Sequence, residues 1–301
     1  LGSDTTPTLA LAFGGGYDDR EDEVAWADPT GESGNRVFIV DALDGDVIWF
    51  AGPPAAGGNL DLDEMNKPIP ADVRVIDLTG DGLADRMYTA DMGGRVWRFD
   101  IVNGESGDDL VEGGPFATLG IGEESVKTGS TADINNRRFF YAPDVSLLTF
   151  QGKSFINVAI GSGHRELPAT DTTTENWFYS MRDYNIFGVI DRDDYRVGSD
   201  PSCATSPSTT GPCHDAFLHA DTRAELALTD VTTSLAPVNG RGWKLQLNES
   251  GEKGLAESRT FQGAVYFTTY APRIVEKTAE EEELLSCAPK FGINKLYIVN
   301  A

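Results

Sequence analysis

The chain is poor in the residue types that most catalytic and redox sites require. Its 301 residues include three histidines, three cysteines and four methionines. It contains no Gly-x-Ser-x-Gly sequence and no recognisable pairing of a nucleophile with a base, so hydrolytic catalysis has little support. Carboxylates are too abundant to single out a glycosidase-type acid–base pair. We therefore expect a protein that is not an enzyme.

Basic residues and long apolar runs are also scarce. Lys and Arg number 24 against 48 Asp and Glu, which gives a formal net charge of −24. This balance argues against nucleic acid, because phosphate binding needs clustered basic side chains. No run of 18 apolar residues is present, so we expect no membrane span. The acidic surface favours cation binding and is also typical of a saline or extracellular setting.

The extent of the chain predicts one large β domain over residues 1–301. Hydrophobic residues make up 40% and charged residues 24% of the sequence, so a sizeable core is possible. No internal boundary is visible. The sequence begins at Leu1 without a signal peptide and stops within a strand-like segment, Tyr297 to Ala301. We expect it to be part of a longer protein.

The most informative segment reads Asp-Leu-Thr-Gly-Asp-Gly-Leu-Ala-Asp, from residue 77 to residue 85. Oxygen-bearing side chains occupy positions 1, 3, 5 and 9, Gly82 occupies position 6, and position 7 offers a backbone carbonyl. Calcium prefers six to eight oxygen ligands in a flexible loop. The predicted calcium ligands are Asp77, Thr79, Asp81, Leu83 and Asp85. An acidic β-turn without an ion is the alternative, but its three carboxylates would repel one another.

The loop differs from an EF-hand in two respects. Position 12 is Tyr88 rather than a bidentate Glu. The flanking segments, 73–76 and 86–89, alternate like strands and not like helices. We therefore predict a calcium loop between two strands, in which Asp85 replaces the usual Glu.

Strand-like runs recur along the chain, several of them followed by an Asp-Gly or Asn-Gly turn. Such turns between β runs are a strong hairpin signal, and hairpins repeated at tens of residues are typical of propeller blades. The sequence therefore predicts an all-β modified propeller with inserted loops and little helix. The runs are 37–41 with 47–50, 95–100, 185–191, 242–247 and 295–300, and the predicted insertions are 105–136, 165–176, 192–216 and 273–291, the last with a short helix near 280–285.

The cysteines lie in two of these insertions. Cys203 and Cys213 bracket a short Pro-rich loop, and a disulfide between them is geometrically plausible in an exported protein. Cys287 is left over, either free or paired outside these residues.

Other motifs have simpler explanations than a binding site. The carboxylates at 41–46 could hold a second cation, but a hairpin turn accounts for them. Gly161 to Arg165 could cradle an anion, but no helix follows, so a tight turn is favoured. His214 and His219 match no structural zinc spacing. The glycosylation sequon at 248–250 falls in a predicted hairpin turn.

Taken together, these residues resemble the C-terminal propeller domain of PilY/PilC-type adhesins at the tips of bacterial type IV pili. The resemblance is spread over most of the chain, and its most specific part is 76–100. The matching segments are 7–18, 37–49, 69–100, 160–165, 242–243, 250–253 and 267–272.

The resemblance implies a calcium-binding module at a pilus tip or outer cell surface. In that family, calcium occupancy controls pilus extension against retraction, and an N-terminal von Willebrand A-like region, absent here, adds adhesion. The implied partners are minor pilins or pilus-tip subunits, with host or surface receptors as further candidates. Thr79 departs from the Asn or Asp usual at its position.

An enzymatic alternative remains open at this point. Hairpins ending in Gly-x-x-x-Trp, as at Gly93 to Trp97, also resemble blades of quinone-dependent dehydrogenases, which hold pyrroloquinoline quinone and Ca²⁺ in a propeller channel. The chain is short for such an enzyme. A third alternative is an acidic structural propeller with an incidental ion.

Overall fold

The computed structural model describes residues 7–22, 33–120, 136–192, 195, 228–233, 241–272 and 292–301. Several predictions fall outside these residues. They are the disulfide between Cys203 and Cys213, the leftover Cys287, both candidate zinc histidines and the short helix near 280–285. In the described part of the chain, no helix is long and apolar enough to cross a membrane.

The first sheet has the order β1-β2-β3-β4. Its strands β1 to β3 are antiparallel neighbours, and β4 pairs in parallel with β3. The strands are β1 (Ala10–Gly14), β2 (Val37–Asp41), β3 (Val47–Gly52) and β4 (Leu60–Asp61), and two 3₁₀ turns lie at Asp19–Asp22 and Pro54–Ala56. The Asp44-Gly45 turn joins β2 to β3, as the sequence predicted. Gly45 has φ of 83°, a conformation that favours glycine.

The second sheet is an antiparallel meander in the order β5-β6-β7-β8. Its strands are β5 (Arg74–Ile76), β6 (Arg86–Ala90), β7 (Arg95–Ile101) and β8 (Val111–Thr118), with a 3₁₀ turn at Gly107–Asp109. The strand β8 corrects the prediction of an insertion over 105–136. Glycines at 113 and 114 weaken the strand pattern in the sequence. They allow the strand to lie against Phe99 and Tyr195, because a Cβ at either position would clash with those rings.

The third and fourth sheets complete the described architecture. The third has the order β12-β13-β11-β10-β9. In the fourth, β16 pairs with β17 along its whole length, and it also pairs with β14 near its end and with β15 near its start. The strands are β9 (Asp144–Phe150), β10 (Lys153–Gly161), β11 (Trp177–Asp183), β12 (Thr229–Asp230), β13 (Gly242–Gln246), β14 (Lys253–Gly254), β15 (Arg259–Phe261), β16 (Ala264–Pro272) and β17 (Gly292–Asn300).

Two predicted strand or hairpin features are wrong. Residues 185–190 form a bend rather than a strand, because their backbone groups bond to buried side chains of the second sheet. The turn at 250–251, after β13, is not a hairpin turn, because β13 belongs to the third sheet and β14 to the fourth. The sequon at 248–250 therefore lies in a connection between two sheets.

The four sheets pack face to face in chain order, and each pair of neighbours shares an apolar core. Trp49 of the first sheet packs with Trp97 of the second, and their cluster includes Phe99. A second cluster joins the second and third sheets around Tyr88 and Tyr179, and a third joins the third and fourth sheets. Burial of these cores, at about 25 cal/mol per Å² of apolar surface, is the main force holding the sheets together.

Candidate functional site

The predicted calcium loop connects two paired strands. β5 ends at Ile76 and β6 begins at Arg86, and these two residues are directly opposite each other in the antiparallel ladder. The prediction that strands flank the loop on both sides is therefore confirmed. The hairpin fixes both ends of the loop, while its tip, including Asp81, is exposed.

Asp77 organises the first half of the loop. Its Oδ1 accepts a hydrogen bond of 2.6 Å from the Gly80 N–H, and its Oδ2 accepts one of 2.9 Å from the Gly82 N–H. Both glycines have positive φ, 77° and 86°, which other residues rarely adopt. Hydrogen bonds from Gly82 and then Gly80 hold the pKa of Asp77 below its usual value, so this carboxylate is ionised at neutral pH.

Asp85 closes the loop and connects it to the sheet. Its Oδ2 accepts hydrogen bonds of 2.7 and 2.9 Å from the backbone N–H groups of Leu78 and Thr79. Its own N–H donates to the Ile76 carbonyl, and its carbonyl accepts from the Ile101 N–H at the end of β7. A ligand at the Asp85 side chain would therefore affect the three strands connected to Asp85, which are β5, β6 and β7.

The donor set fits calcium in type and order, but its carboxylates do not converge on one point. Asp81 Oδ1 accepts a hydrogen bond of 2.9 Å from its own loop, at the Leu83 N–H. Among the described residues, no three acidic, His or Cys side chains are gathered closely enough to share a metal. Binding would therefore require the carboxylates of the loop to move closer together, and the exposure of the loop tip leaves room for this.

A buried ionic network lies immediately behind the loop. Arg86 Nε donates to Asp100 at 2.5 Å, and Arg98 donates to Asp100 at 2.8 Å and to Asp183 of the third sheet at 2.9 Å. Tyr88 also donates to Asp183, at 2.5 Å. All five side chains are almost completely buried. Burial, followed by the charge of Asp183, raises the pKa of Tyr88, so its hydroxyl stays protonated and can donate.

The network also fixes the bend at 185–190 against the second sheet. Arg86 donates to the carbonyls of Asn185 and Gly188 at 2.6 and 2.9 Å, and the Ile190 N–H donates to Asp100 at 3.1 Å. The bend carries the exposed ring of Phe187. A pocket beside it is lined by Thr79, Asp85, Arg86, Asp100, Phe187, Gly188 and others. The predicted calcium loop, the buried ionic network and the bend at 185–190 are therefore adjacent and connected to one another.

Sequence reasoning missed this network, although part of its signal was present. Arg86 and Tyr88 alternate on one strand, and Arg98 and Asp100 alternate on the next, so all four side chains share one face. Charged residues at alternate positions on a buried strand indicate a paired network. Asp183 could not be found in this way, because it comes from a different sheet.

The backbone explains the two other candidate sites without a ligand. Asp41 and Asp44 each accept a hydrogen bond from the backbone N–H two residues later, which is the ordinary role of Asp in a turn. After β10, the N–H groups of Ser162 and Gly163 donate to backbone carbonyls and do not form an anion cradle. The turn expected at 41–46 is confirmed, whereas 162–164 form an irregular connection rather than the expected tight turn, because the carbonyls that accept from Ser162 and Gly163 are distant in the chain.

A second line of buried polar residues connects the sheets away from the loop. Lys67 forms a fully buried ion pair with Glu21, whose other oxygen lies 3.9 Å from Arg138. His164 Nδ1 lies 3.4 Å from an Asp171 oxygen in the connection between β10 and β11, and the Asp171 carbonyl accepts a hydrogen bond from Lys253 of the fourth sheet. These contacts bind neighbouring sheets to one another.

Asp171 should make the folding stability of the protein decrease at acid pH. Burial raises the pKa of Asp171, but the neighbouring His164 side chain and a hydrogen bond from the Thr174 backbone N–H lower it by more, so that it lies well below its usual range. Its stabilising effect is therefore complete above the unfolded pKa, near 3.9, and is lost as pH falls below that value. We expect the stability difference between the native protein and Asp171→Asn to shrink between about pH 5 and pH 3.

Urea denaturation at a series of pH values measures this difference. Asp44→Asn removes an equal charge from an exposed turn and serves as the control. A difference for Asp171→Asn that stays constant down to about pH 3 would contradict the assigned role.

The tryptophan in the Gly-x-x-x-Trp hairpin has a structural role. Trp97 is fully buried between the first and second sheets, and its Nε1 donates to Asp91 at 2.9 Å. Trp49 and Trp243 are likewise fully buried in the cores between sheets. None of these three rings is exposed to stack on a quinone.

Comparison with known proteins shows the fold. The crystal structure of the Pseudomonas aeruginosa PilY1 C-terminal domain matches 86% of this chain with a TM-score of 0.51 and 17% sequence identity. The chain spans about half, 52%, of the length of that domain. No protein-family model matches the chain, and no curated protein matches it in sequence. The likeness confirms the predicted all-β, propeller-type fold of the kind seen in the PilY1 C-terminal domain.

Proposed function

We propose that this chain is a non-enzymatic, calcium-binding module of a type IV pilus system, located at the pilus tip or outer cell surface. The observation that carries the proposal is the acidic loop between β5 and β6, in a fold like that of the PilY1 C-terminal domain. The family resemblance of 76–100 supplies the pilus context. Its partners would be minor pilins or other tip subunits, with adhesion to surface receptors as a further role.

The physical role of the ion follows from the charges of the loop. Asp77, Asp81 and Asp85 repel one another, and calcium would remove that repulsion while drawing the loop tip toward its base. Because the Asp85 backbone bonds to Ile76 and Ile101, ordering would extend into β5 and β7. The bound loop would then present a defined surface, and the empty loop a variable one, to a pilus partner.

Calorimetric titration of Ca²⁺ into chelator-stripped protein tests the proposal. We expect one saturable site in the native protein and loss of that site in Asp81→Ala. Asp44→Ala is a matched control, since Asp44 also accepts a backbone N–H two residues later in an exposed turn. Equal binding by the native protein and Asp81→Ala would rule out this loop as the site.

Calcium should also raise thermal stability. A ligand that binds only the folded state at a hundredfold excess over its Kd stabilises it by about 2.7 kcal/mol. We expect the melting temperature of the native protein and of Asp44→Ala to rise with Ca²⁺, and that of Asp81→Ala to stay constant. A quinone absorbance band in the purified protein, or dye reduction with alcohols, would instead favour the enzymatic alternative.

A further inference from the structure

The connection between β7 and β8 contains an exposed pair of residues, Asn103 and Gly104. They form the centre of a turn in which the Glu105 N–H donates to the Val102 carbonyl at 3.1 Å. Gly104 has φ of 104°, and a Cβ at this residue would meet no atom within 4 Å. Solvent therefore has access to both residues and to the peptide bond between them.

The side chain of Asn103 also contacts the predicted calcium loop. Its Nδ2 donates a hydrogen bond of 3.0 Å to the carbonyl of Ala84, which precedes Asp85. The Asp85 carbonyl in turn accepts a hydrogen bond of 2.8 Å from the Ile101 N–H. Two hydrogen bonds therefore connect the end of the loop to the end of β7, one from the backbone and one from the Asn103 side chain.

Three glycines of the described residues follow an Asp or an Asn, and they differ in what their N–H groups do. The Gly45 N–H donates to the Asp41 carbonyl at 3.0 Å, and the Gly82 N–H donates to the Asp77 carboxylate at 2.9 Å. The Gly104 N–H donates no hydrogen bond within the part of the chain that the structure describes. Its nitrogen is therefore the one of the three that is not held away from the preceding side chain.

We propose that Asn103 is a site of spontaneous deamidation, in which water is the only co-reactant. The Gly104 nitrogen gives up its proton and bonds to Cγ of Asn103, the Cγ–Nδ2 bond breaks, and ammonia leaves with that proton. The product is a five-membered succinimide ring. Water then adds to either ring carbonyl, and the ring opens to aspartate or to isoaspartate. Glycine favours the first step, because no Cβ hinders the approach of its nitrogen.

Deamidation would remove the donor that connects the turn to the loop. A carboxylate accepts hydrogen bonds but donates none, so aspartate at this position would repel the Ala84 carbonyl oxygen. Isoaspartate would also add a methylene group to the backbone of the turn. The end of the loop, which leads directly into β6, would then be held less tightly against β7. This inference is separate from calcium binding by the loop, and its tests are made without calcium.

Peptide mapping by mass spectrometry, after incubation of the 301-residue protein in a mildly alkaline, calcium-free buffer, tests the chemistry. The reference is a synthetic peptide of residues 99–108. The Asn103 side chain must first release Ala84, so we expect it to convert about two- to tenfold more slowly in the protein than in the peptide. Mapping assigns the mass gain to a position, which is necessary because the sequence has a second Asn-Gly pair at 239–240. An Asn103 that stays intact while the peptide converts completely would overturn the proposal.

Two matched comparisons test the role of Gly104. Asn248 is also exposed but is followed by Glu249, so it should keep its amide while Asn103 loses its own. Asn103→Gln retains a side-chain amide, but ring closure would need one more atom, so the mass gain at this position should cease. Equal conversion of Asn103 and Asn248, or an undiminished mass gain in Asn103→Gln, would contradict a reaction through the Gly104 nitrogen.

Hydrogen exchange of the Ile101 N–H tests the structural effect. Asn103→Asp reproduces the aspartate product, and loss of the hydrogen bond to Ala84 should speed this exchange about two- to tenfold. Asn248→Asp makes the same change of charge in the connection between β13 and β14 and should leave the exchange unchanged. Circular dichroism confirms that both variants are folded. An exchange rate at Ile101 that is the same in Asn103→Asp as in the native protein would overturn the structural part of the proposal.

Discussion

Arg98→Met should destabilise the protein by about 3–5 kcal/mol, because it removes one partner from a buried ionic network. The Arg98 guanidinium is fully buried, and it bonds to both Asp100 and Asp183. Although burial lowers its pKa, the charges of Asp183 and Asp100 raise it well above its usual value, so the side chain stays charged. Methionine fills similar space but leaves both carboxylates short of a partner.

The unfolding free energy of Arg98→Met can be measured in urea against a matched exposed control. Arg165→Met breaks an ion pair with Glu166 in which the side chains are 55% and 39% exposed, and exposed pairs contribute about 0–1 kcal/mol. We expect the Arg98 variant to lose several times more stability than the Arg165 variant. Equal losses in the two variants would show that the network does not hold the second and third sheets together.

Asp183 allows the coupling between those sheets to be measured directly. Asp183→Asn removes the acidic partner from the third sheet, and the double variant with Arg98→Met removes both charges. Since these side chains are in contact, the double variant should lose less stability than the sum of the single losses, by about 0.5–3 kcal/mol. Additive losses would mean that the two residues act independently.

Trp97→Ala should destabilise the protein by about 3–5 kcal/mol through the cavity it leaves. Trp97 is fully buried in the cluster between the first and second sheets, beside Phe99 and Trp49. Its indole N–H also bonds to Asp91, which is fully buried, so the variant leaves an oxygen of that carboxylate without this donor. Both effects act in the same direction.

Two further variants separate these effects. Trp97→Phe keeps most of the ring volume but removes the N–H donor, so it should cost less than Trp97→Ala. Trp177→Ala truncates a tryptophan that is only partly buried and should also cost less. Urea denaturation of the three variants gives the comparison, and a Trp97→Ala variant as stable as the native protein would contradict the assigned core role.

The strands around the loop could be predicted because their signals are local. The alternating residues of 73–76 and 86–89 and the glycines at 80 and 82 identify a turn between two strands, and the structure has this turn. The hairpin at Asp44-Gly45 was found for the same reason. Such features depend on neighbouring residues in the sequence, and so the sequence alone predicts them.

The failed predictions depend on contacts between distant residues. The segment 185–190 is rich in strand-forming residues, yet it is a bend because Arg86 and Asp100, about a hundred positions away in the chain, take its backbone hydrogen bonds. The sequence predicts an insertion where the structure has the strand β8, because glycines at 113 and 114 weaken the strand pattern, although they fit the rings packed against them. Local propensity cannot reveal either arrangement.

The sequence predicts the oxygen donors of the candidate site but not the contacts that surround it. The order of oxygen donors from Asp77 to Asp85 is visible in the sequence. The connection of Asp85 to β7 through Ile101, and the ionic network behind it, required the structure. That connection makes the loop more than an exposed acidic turn, because it joins the proposed ion site to the second and third sheets.

Long-wavelength X-ray diffraction from crystals grown with millimolar calcium would show whether the loop from Asp77 to Asp85 binds the ion. We expect an anomalous peak inside the loop, with the Asp77, Asp81 and Asp85 carboxylates and the Leu83 carbonyl at about 2.3–2.6 Å. The peak should disappear in Asp81→Ala crystals and persist in Asp44→Ala crystals. A loop without a peak in the native protein, or a calcium ion bound only elsewhere, would rule out this loop as the calcium site.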